Sequence, residues 1–358
     1  MRRVDDMSDP TLGRLRELAE IHPASEAAGT DEKVGRLPAM NLTVSKEQRR
    51  FKVPEIGALL AVLILLFAFF SLRSPYFFAL GNMVSILEAI AITGMIAIPG
   101  TMLLIAGQFD LSVGSATAFT GVIMGSLLSG HETWVAVLAA ITAGLFVGLV
   151  NGALVTIVGV NALITTLGTL AVLRGLSLVL ADGQTISFSD FEFLGTARPL
   201  FGIPVAVLLF LVLMIVAGLI MRYTVFGRSL YAVGSNPVAA RLTGVRSRRV
   251  LIIAFMASGL SAGIAGMILS SQLGGSNPNA AIGLELSVVT AIILGGASLH
   301  GGRGSITGTF VGLLVIAVLD NGLVLLGVSA FYQDVARGAL LILAISFDQV
   351  RERFARRA

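Results

Sequence analysis

The side chains able to do chemistry are few in this chain and stand far apart. Away from its polar ends, ionisable groups occur singly at Glu88, Asp110, Arg174, Asp320, Asp334 and Arg337, each inside or at the mouth of an apolar run. Two carboxamides, Asn151 and Asn321, sit in similar runs. Cysteine is absent and histidine occurs only at 22, 131 and 300. That excludes disulfides and thiol chemistry, and it leaves no residues spaced to hold a metal. No set of paired acids or activated nucleophile is visible, so a membrane-embedded enzyme is disfavoured. There is no Gly-rich phosphate loop ending in Lys-Ser or Lys-Thr, and every lysine lies within the first 52 residues. The chain is therefore expected to hydrolyse no ATP and to need no cofactor of its own.

The elements that must position these groups follow from the composition. Of 358 residues, 55% are hydrophobic and 13% charged, about half the charged share of a soluble domain. The charges crowd into 1–55, 222–249 and 347–358. Between them lie apolar runs of the length that crosses a bilayer, about 20 residues each. The pattern predicts an all-α polytopic membrane protein with about ten transmembrane helices. Spans fall near 55–72, 83–105, 111–130, 133–158, 161–182, 202–222, 249–272, 286–300, 304–326 and 329–347. The eighth is short, which suggests a tilted or broken helix. Residues 54–347 form the transmembrane domain, 1–53 a mostly disordered tail with a short helix at Thr11–Glu20, and 348–358 a basic C-terminus. No cleavable signal peptide is evident, so the first span serves as an uncleaved anchor.

The net charge of +4 does not indicate nucleic acid, because the arginines flank apolar spans rather than forming an aromatic-interleaved patch. Arg49, Arg50 and Lys52 precede the first span. Arg222, Arg228, Arg241, Arg246, Arg248 and Arg249 fill the 222–249 loop, and Arg351, Arg353, Arg356 and Arg357 end the chain. Basic loops stay inside. With ten spans, both termini and the 223–248 loop are cytoplasmic, and the segments 183–201 and 273–285 lie outside.

A charged side chain at the bilayer centre costs about 2.5–3.5 kcal/mol on insertion scales, so each must face protein or water. Asp334 and Arg337 are three apart and can pair. Arg174 can pair with Glu88 or Asp320. Asp110 precedes Leu111-Ser112-Val113-Gly114-Ser115 and can cap that helix or line a substrate path with Ser112. Asn151 and Asn321 serve either as glue between helices or as path groups. The substrate-path candidates are thus Glu88, Asp110, Ser112, Asn151, Arg174, Asp320 and Asn321. An interior so nearly neutral suits an uncharged polar solute better than an ion. The 41 glycines include Gly144, Gly148 and Gly152, Gly259 and Gly263, and Gly304, Gly308 and Gly312, at four-residue spacing. Such rows let helix backbones meet, either for tight packing or as a surface on which helices slide.

The loop 223–248 is the most informative segment. Asn236 can cap, Pro237 suits the first helical position and Gly244 can end the turn. The resulting two-turn helix is too short to stand alone in water, so it needs a partner surface. This segment resembles the coupling helix of ABC-type import permeases. Ala106–Ser115, reading Ala-Gly-Gln-Phe-Asp-Leu-Ser-Val-Gly-Ser, is similar to a motif of ribose-type monosaccharide permeases. So are Asn161–Thr169 with Arg174-Gly175, Glu285-Leu-Ser, and the Gly-rich run Ile293–Ser305. The likeness covers roughly 80–350. Ala106, Gln108, Phe109 and Ala162 depart from it. The resemblance implies a bacterial inner-membrane permease for a monosaccharide or related polyol. It also implies a cytoplasmic ATPase subunit that binds ATP and Mg, a periplasmic sugar-binding protein, and a second permease chain. Gly234, Asn236, Pro237, Arg241 and Gly244 would then couple to the ATPase, and Asp190, Glu192 and Arg198 would receive the binding protein. A permease for a nucleoside or branched-chain amino acid shares the architecture. An ion-coupled transporter would instead need a carboxylate such as Glu88 or Asp320 in its path.

Overall fold

A computed structural model of the chain describes residues 55–189 and 191–357. The tail, its short helix at 11–20 and Asp190 lie outside the described residues. The rest is helical, apart from one two-stranded pairing. Four helices open the bundle: α1 (Glu55–Arg73), α2 (Leu80–Ile105), α3 (Val113–Leu128) and α4 (Thr133–Ala153). The fourth runs on through a π-turn at Leu154–Val158. Then come α5 (Ala162–Leu180), β1 (Ile186–Ser187), α6 (Phe193–Thr196) and α7 (Val205–Tyr223). Two short helices follow, α8 (Val225–Ser235) and α9 (Pro237–Leu242). The chain ends with α10 (Ser247–Leu273), β2 (Gly275–Ser276), α11 (Leu284–Leu294), α12 (Ile306–Leu325) and α13 (Ala330–Arg357).

A helix occupies each of the ten ranges read from hydropathy. Six of the described helices are long and apolar enough to cross a membrane, and three more are apolar but shorter. The short ones carry structural information. α3 has 16 residues and rises about 24 Å, while α11 has 11 and rises about 17 Å, against a hydrocarbon core of about 30 Å. Both begin inside the bundle. Gly114, near the start of α3, lies against the Ala281 carbonyl and the Glu285 side chain, just where α11 begins.

Contacts between the ends of the helices fix their direction. One end gathers the last turn of α2, α8, α9 and the loop 298–305. The opposite end gathers β1, β2 and α6. There β1 and β2 pair antiparallel, Ile186 with Ser276 and Ser187 with Gly275. α6 is tied to α10 at Ser271, whose hydroxyl accepts from Gly195 N at 2.9 Å and donates to the Phe191 carbonyl at 2.6 Å.

The glycine rows explain how the centre packs. A Cβ at Gly144 would strike the Gly259 carbonyl, and one at Gly148 would strike the Phe255 carbonyl. Gly259 in turn faces Gly144 and Gly148, so α4 and α10 meet backbone to backbone. α3 and α10 do the same at Gly121 and Gly266, and α11 and α12 at Gly295, Gly308 and Gly312. Without water to expel, such contact and the dispersion it provides hold helices together. Around it lies one large core that includes Phe77, Met95, Leu103, Phe210, Phe255 and Ile268.

Overfilling a packed interior costs about 1–3 kcal/mol, and here rigid backbone is the obstacle. Gly259→Val should therefore lower the melting temperature of the purified protein in a fluorescence size-exclusion assay. Gly168→Val, where an added carbon meets nothing within 4 Å, should leave it unchanged.

Candidate functional site

The sequence-derived candidates divide into separate places. Asp110, Ser112 and Asn151 come together. Asp110 lies in the turn between α2 and α3, where Ser112 N and Ser112 Oγ donate to its Oδ1 at 3.0 and 2.6 Å. Ser258 Oγ on α10 donates to Oδ2 at 2.7 Å. Asn151 Nδ2 on α4 donates to Ser112 Oγ at 2.9 Å, and Thr169 Oγ1 on α5 donates to Asn151 Oδ1 at 2.7 Å. Five side chains thus join the α2–α3 turn to three further helices. Asp110 is not the helix cap expected of it. Ser112 holds the cap position, without a side-chain cap bond, and the carboxylate instead braces its own turn and α10.

Arg174 pairs with neither Glu88 nor Asp320. Its guanidinium donates to the carbonyls of Pro278 and Ala280, the latter at 2.9 Å, within electrostatic reach of Glu285. The segment 277–283 has no regular structure, and carbonyls inside a membrane bundle need donors. Arg174 supplies two of them. Glu88 pairs instead with Arg198 at 3.1 Å, binding the segment after α6 to α2. Glu192 is exposed beside it, and its carbonyl accepts from Thr196.

Asp320 and Asn321 form a third place near the end of α12. Arg337 on α13 holds Asp320 through Nε and Nη2, both at 2.9 Å from Oδ2. It also reaches Asp334 at 3.2 Å, the pairing expected from spacing, but Asp334 is 72% exposed. The more buried Asp320 is therefore the firmer partner. Asn321 and Asn82 exchange amide bonds at 2.8 and 3.0 Å.

The basic loop folds as two helices rather than one. Residues 225–235, read as loop, form α8. Thr224 caps it by accepting from Gly227 N, and Leu230 is fully buried beneath it. α9 matches the expected two-turn helix and forms a foot at this end of the bundle. Asn236 Oδ1 accepts from Val238 N and Ala239 N at 3.1 and 3.0 Å, Pro237 opens the helix and Gly244 follows at φ +87°. Its exposed side chains include Val238, Arg241 and Leu242, while Ala240 is buried.

Gly234 does not lie on the foot itself. It forms a backbone knot above it. A Cβ there would strike the Ile105 carbonyl at the end of α2 and approach Gly302 N at 2.7 Å. Gly302 N donates to that same carbonyl at 2.7 Å. Tyr231 OH fastens α8 to the Gly304 carbonyl at 2.9 Å. Burial pushes the Tyr231 phenol up from its ordinary value, so it remains a donor.

Sequence reasoning missed Ser258, Thr169, Tyr231 and Glu285 as parts of these clusters. Hydroxyl residues on apolar helices give no signal of their partner. Glu285 does carry one: it opens an apolar segment, and its Oε2 is buried with no hydrogen-bond partner among the described residues.

A helical membrane bundle with two helices that begin inside it, polar groups on facing helices and a capped foot at one end is built as a transport protein. Comparison with known proteins makes the class specific. Residues 82–345 match the family described as the branched-chain amino acid transport system / permease component. The chain is 40% identical over 295 residues to the probable ABC transporter permease protein YphD of Escherichia coli K12, covering 82% of this chain and 89% of that protein. It is 38% identical to the L-arabinose ABC transporter permease protein AraH of Azospirillum brasilense, covering 82% and 88%. It is 36% identical to the ribose import permease protein RbsC of Escherichia coli K12, covering 83% and 94%. No solved structure matches. The chain belongs to this family of ABC-transporter permease components and is a multi-pass protein of the bacterial inner membrane.

A hydrogen bond between membrane helices is worth about 0.6 kcal/mol on average and at most about 1.7. Asn151→Val removes two such bonds and should lower unfolding stability in mixed micelles by about 1–2 kcal/mol. Leu149→Val, on the exposed side of the same helix, should change it far less.

Proposed function

We propose that the chain is the membrane-spanning subunit of an importer that carries a monosaccharide or related polyol inward, driven by ATP hydrolysis in a separate subunit. The observation that carries the reading is the foot. A two-turn helix capped by Asn236 exposes Val238, Arg241 and Leu242 and is fastened through α8 to the end of α2. An apolar and basic tip of this kind fits a groove on a partner protein. The named relatives that carry ribose and L-arabinose support the solute class.

On this reading ten helices cross the membrane with both termini cytoplasmic, 54–347 is the membrane domain, and 1–53 and 348–358 are cytoplasmic. The ATPase binds ATP and Mg and grips Asn236–Gly244. Glu192 and Arg198, with Asp190, form part of the outer landing for a periplasmic sugar-binding protein. Two permease chains enclose the path, and the simplest pair is two copies of this one. The path candidates remain Glu88, Asp110, Ser112, Asn151, Arg174, Asp320 and Asn321. Glu88 and Arg174 act chiefly by holding segments in place. A permease for a branched-chain amino acid is the second reading, favoured by the family's own description.

Uptake of labelled ribose or L-arabinose into vesicles holding the full complex should persist when ion gradients are collapsed and stop when ATP is exhausted. The opposite pattern would indicate an ion-coupled carrier. Arg241→Glu should abolish ATPase retention on the purified permease while leaving its thermal stability intact. Full retention would remove the foot from its role.

A further inference from the structure

Two arginines of the basic loop, Arg222 and Arg228, take no part in the foot, and their surroundings assign them a different partner. α7 is the most apolar of the six long described helices. Along it the exposed residues Val212, Ile215, Val216, Leu219 and Tyr223 recur at helical spacing, so they form one stripe down a side of the helix. An apolar stripe left uncovered on a membrane span is surface that lipid covers. The stripe ends in Tyr223, a residue type that collects where membrane meets water. The Arg222 guanidinium carbon lies 5.4 Å from the centre of the Tyr223 ring, so its charge sits at the edge of the stripe.

The chain then turns sharply. Thr224 closes α7 by donating its hydroxyl to the Ile220 carbonyl at 2.7 Å, and its oxygen accepts from Gly227 N at 3.2 Å. A Cβ at Gly227 would strike the carbonyls of Ile220 and Met221. The first turn of α8 therefore doubles back against the last turn of α7. That close approach sets Val225 and Arg228, three apart on α8 and both exposed, on the same corner as Arg222 and Tyr223. The protein does not answer the charge of this corner. No Asp or Glu occurs between Glu192 and Glu285, and among the described residues neither arginine reaches a carboxylate.

We propose that the α7–α8 corner binds an anionic phospholipid of the inner leaflet, with the phosphate at Arg222 and Arg228 and the acyl chains along the α7 stripe. The inference rests on this end being cytoplasmic, as the importer reading has it. Arginine suits the role because its planar fork takes two phosphate oxygens at once. A zwitterionic headgroup offers the same phosphate but brings its own cation, which the arginines repel. A soluble ATPase fits the corner less well, because the apolar part of the site continues down a membrane span. The site bears on the foot through α8. The first turn of α8 lies at the corner, while Tyr231 and Gly234 further along fasten it to Gly304 and Ile105. A lipid at the corner holds the near end of the helix that carries the foot.

The purified complex in neutral detergent should prefer phosphatidylglycerol over phosphatidylcholine in a native mass spectrometry titration. Arg222→Gln and Arg228→Gln should each weaken phosphatidylglycerol binding about fivefold, the attraction one basic side chain gains at an anionic surface. Arg222→Lys combined with Arg228→Lys should keep the preference for the anionic lipid. Melting temperatures measured without added lipid should match across these variants, which separates lost binding from lost folding. Equal affinity for the two lipids, or unchanged phosphatidylglycerol binding by the double glutamine variant, overturns the site. Release of the ATPase by that variant with lipid binding unaltered gives the corner to the ATPase and overturns it too. The chain contains no cysteine, so Val225→Cys reports the side of the membrane. Its labelling by an impermeant maleimide added outside intact spheroplasts would overturn the inner-leaflet placement together with the importer topology beneath it, a failure distinct from loss of the lipid preference.

Discussion

The constraint on which this structure depends is that a polypeptide inside a membrane must satisfy its own backbone. A helix does so automatically, and each interruption has to be answered by a side chain or a neighbouring peptide. This chain interrupts its helices twice within the bundle, at 106–112 and at 277–283. The first is answered from within its own turn by Asp110, and the second by Arg174, brought from α5. Asp110 accepts from its own turn and from Ser258, and Arg174 donates to Pro278 and Ala280. The ionisable residues that look anomalous in apolar sequence are in large part the solutions to that problem.

The second feature is how closely the interrupted segments approach. Gly114, at the start of α3, lies against the Ala281 carbonyl and Glu285, so the two interruptions touch. The end of α2, just before the first interruption, is knotted to Gly234 and Gly302. From α8 to the 277–283 segment there is therefore a run of close contacts: α8 on Ile105, the 106–112 turn leading into α3, and α3 on Ala281. Glycine is what allows it. Each contact lacks the compliance of an intervening side chain, so displacement of one member must displace the next or break the contact.

Much of this was legible in the sequence. Long apolar runs gave eight of the ten helices to within a few residues, because hydropathy and length are the constraint the bilayer imposes, whereas α11 ends six residues before the expected 300 and α13 runs ten beyond the expected 347, into the basic C-terminus. The foot was readable down to its cap, since Asn-Pro and a following Gly each have a single local physical reason to be there. The four-residue glycine rows named the faces of α4 and α10 that meet. What spacing could not supply was partnership across the bundle. Arg174 was expected to neutralise an acid and instead bonds two carbonyls over 100 residues away. Asp110 could be read as a cap of the next helix or as a path group, and spacing could not show that it also braces α10 through Ser258. α8 escaped notice because an 11-residue helix interrupted by Gly227 and Gly234 has no apolar run, and its stability comes from burying Leu230 and Val233.

The division of the polar residues into three places bears on how such a protein can move a solute without leaking. A continuous polar channel would carry water and ions whenever it was open. Here the place at Asp320 and Asn321 and the cluster at Asp110, Ser112 and Asn151 are distinct. Between them lie the Gly114 contact and the first turn of α11, where Glu285 is buried. Parting that contact would expose backbone groups that Arg174 and Asp110 now hold in place. The separation is made by closely packed backbone beside a buried carboxylate rather than by a single bulky side chain. A displacement of α8 reaches that contact only through the close backbone approaches at Gly234, Ile105 and Gly302, so the packing of these glycines, and not any flexible side chain, sets how far such a displacement can travel.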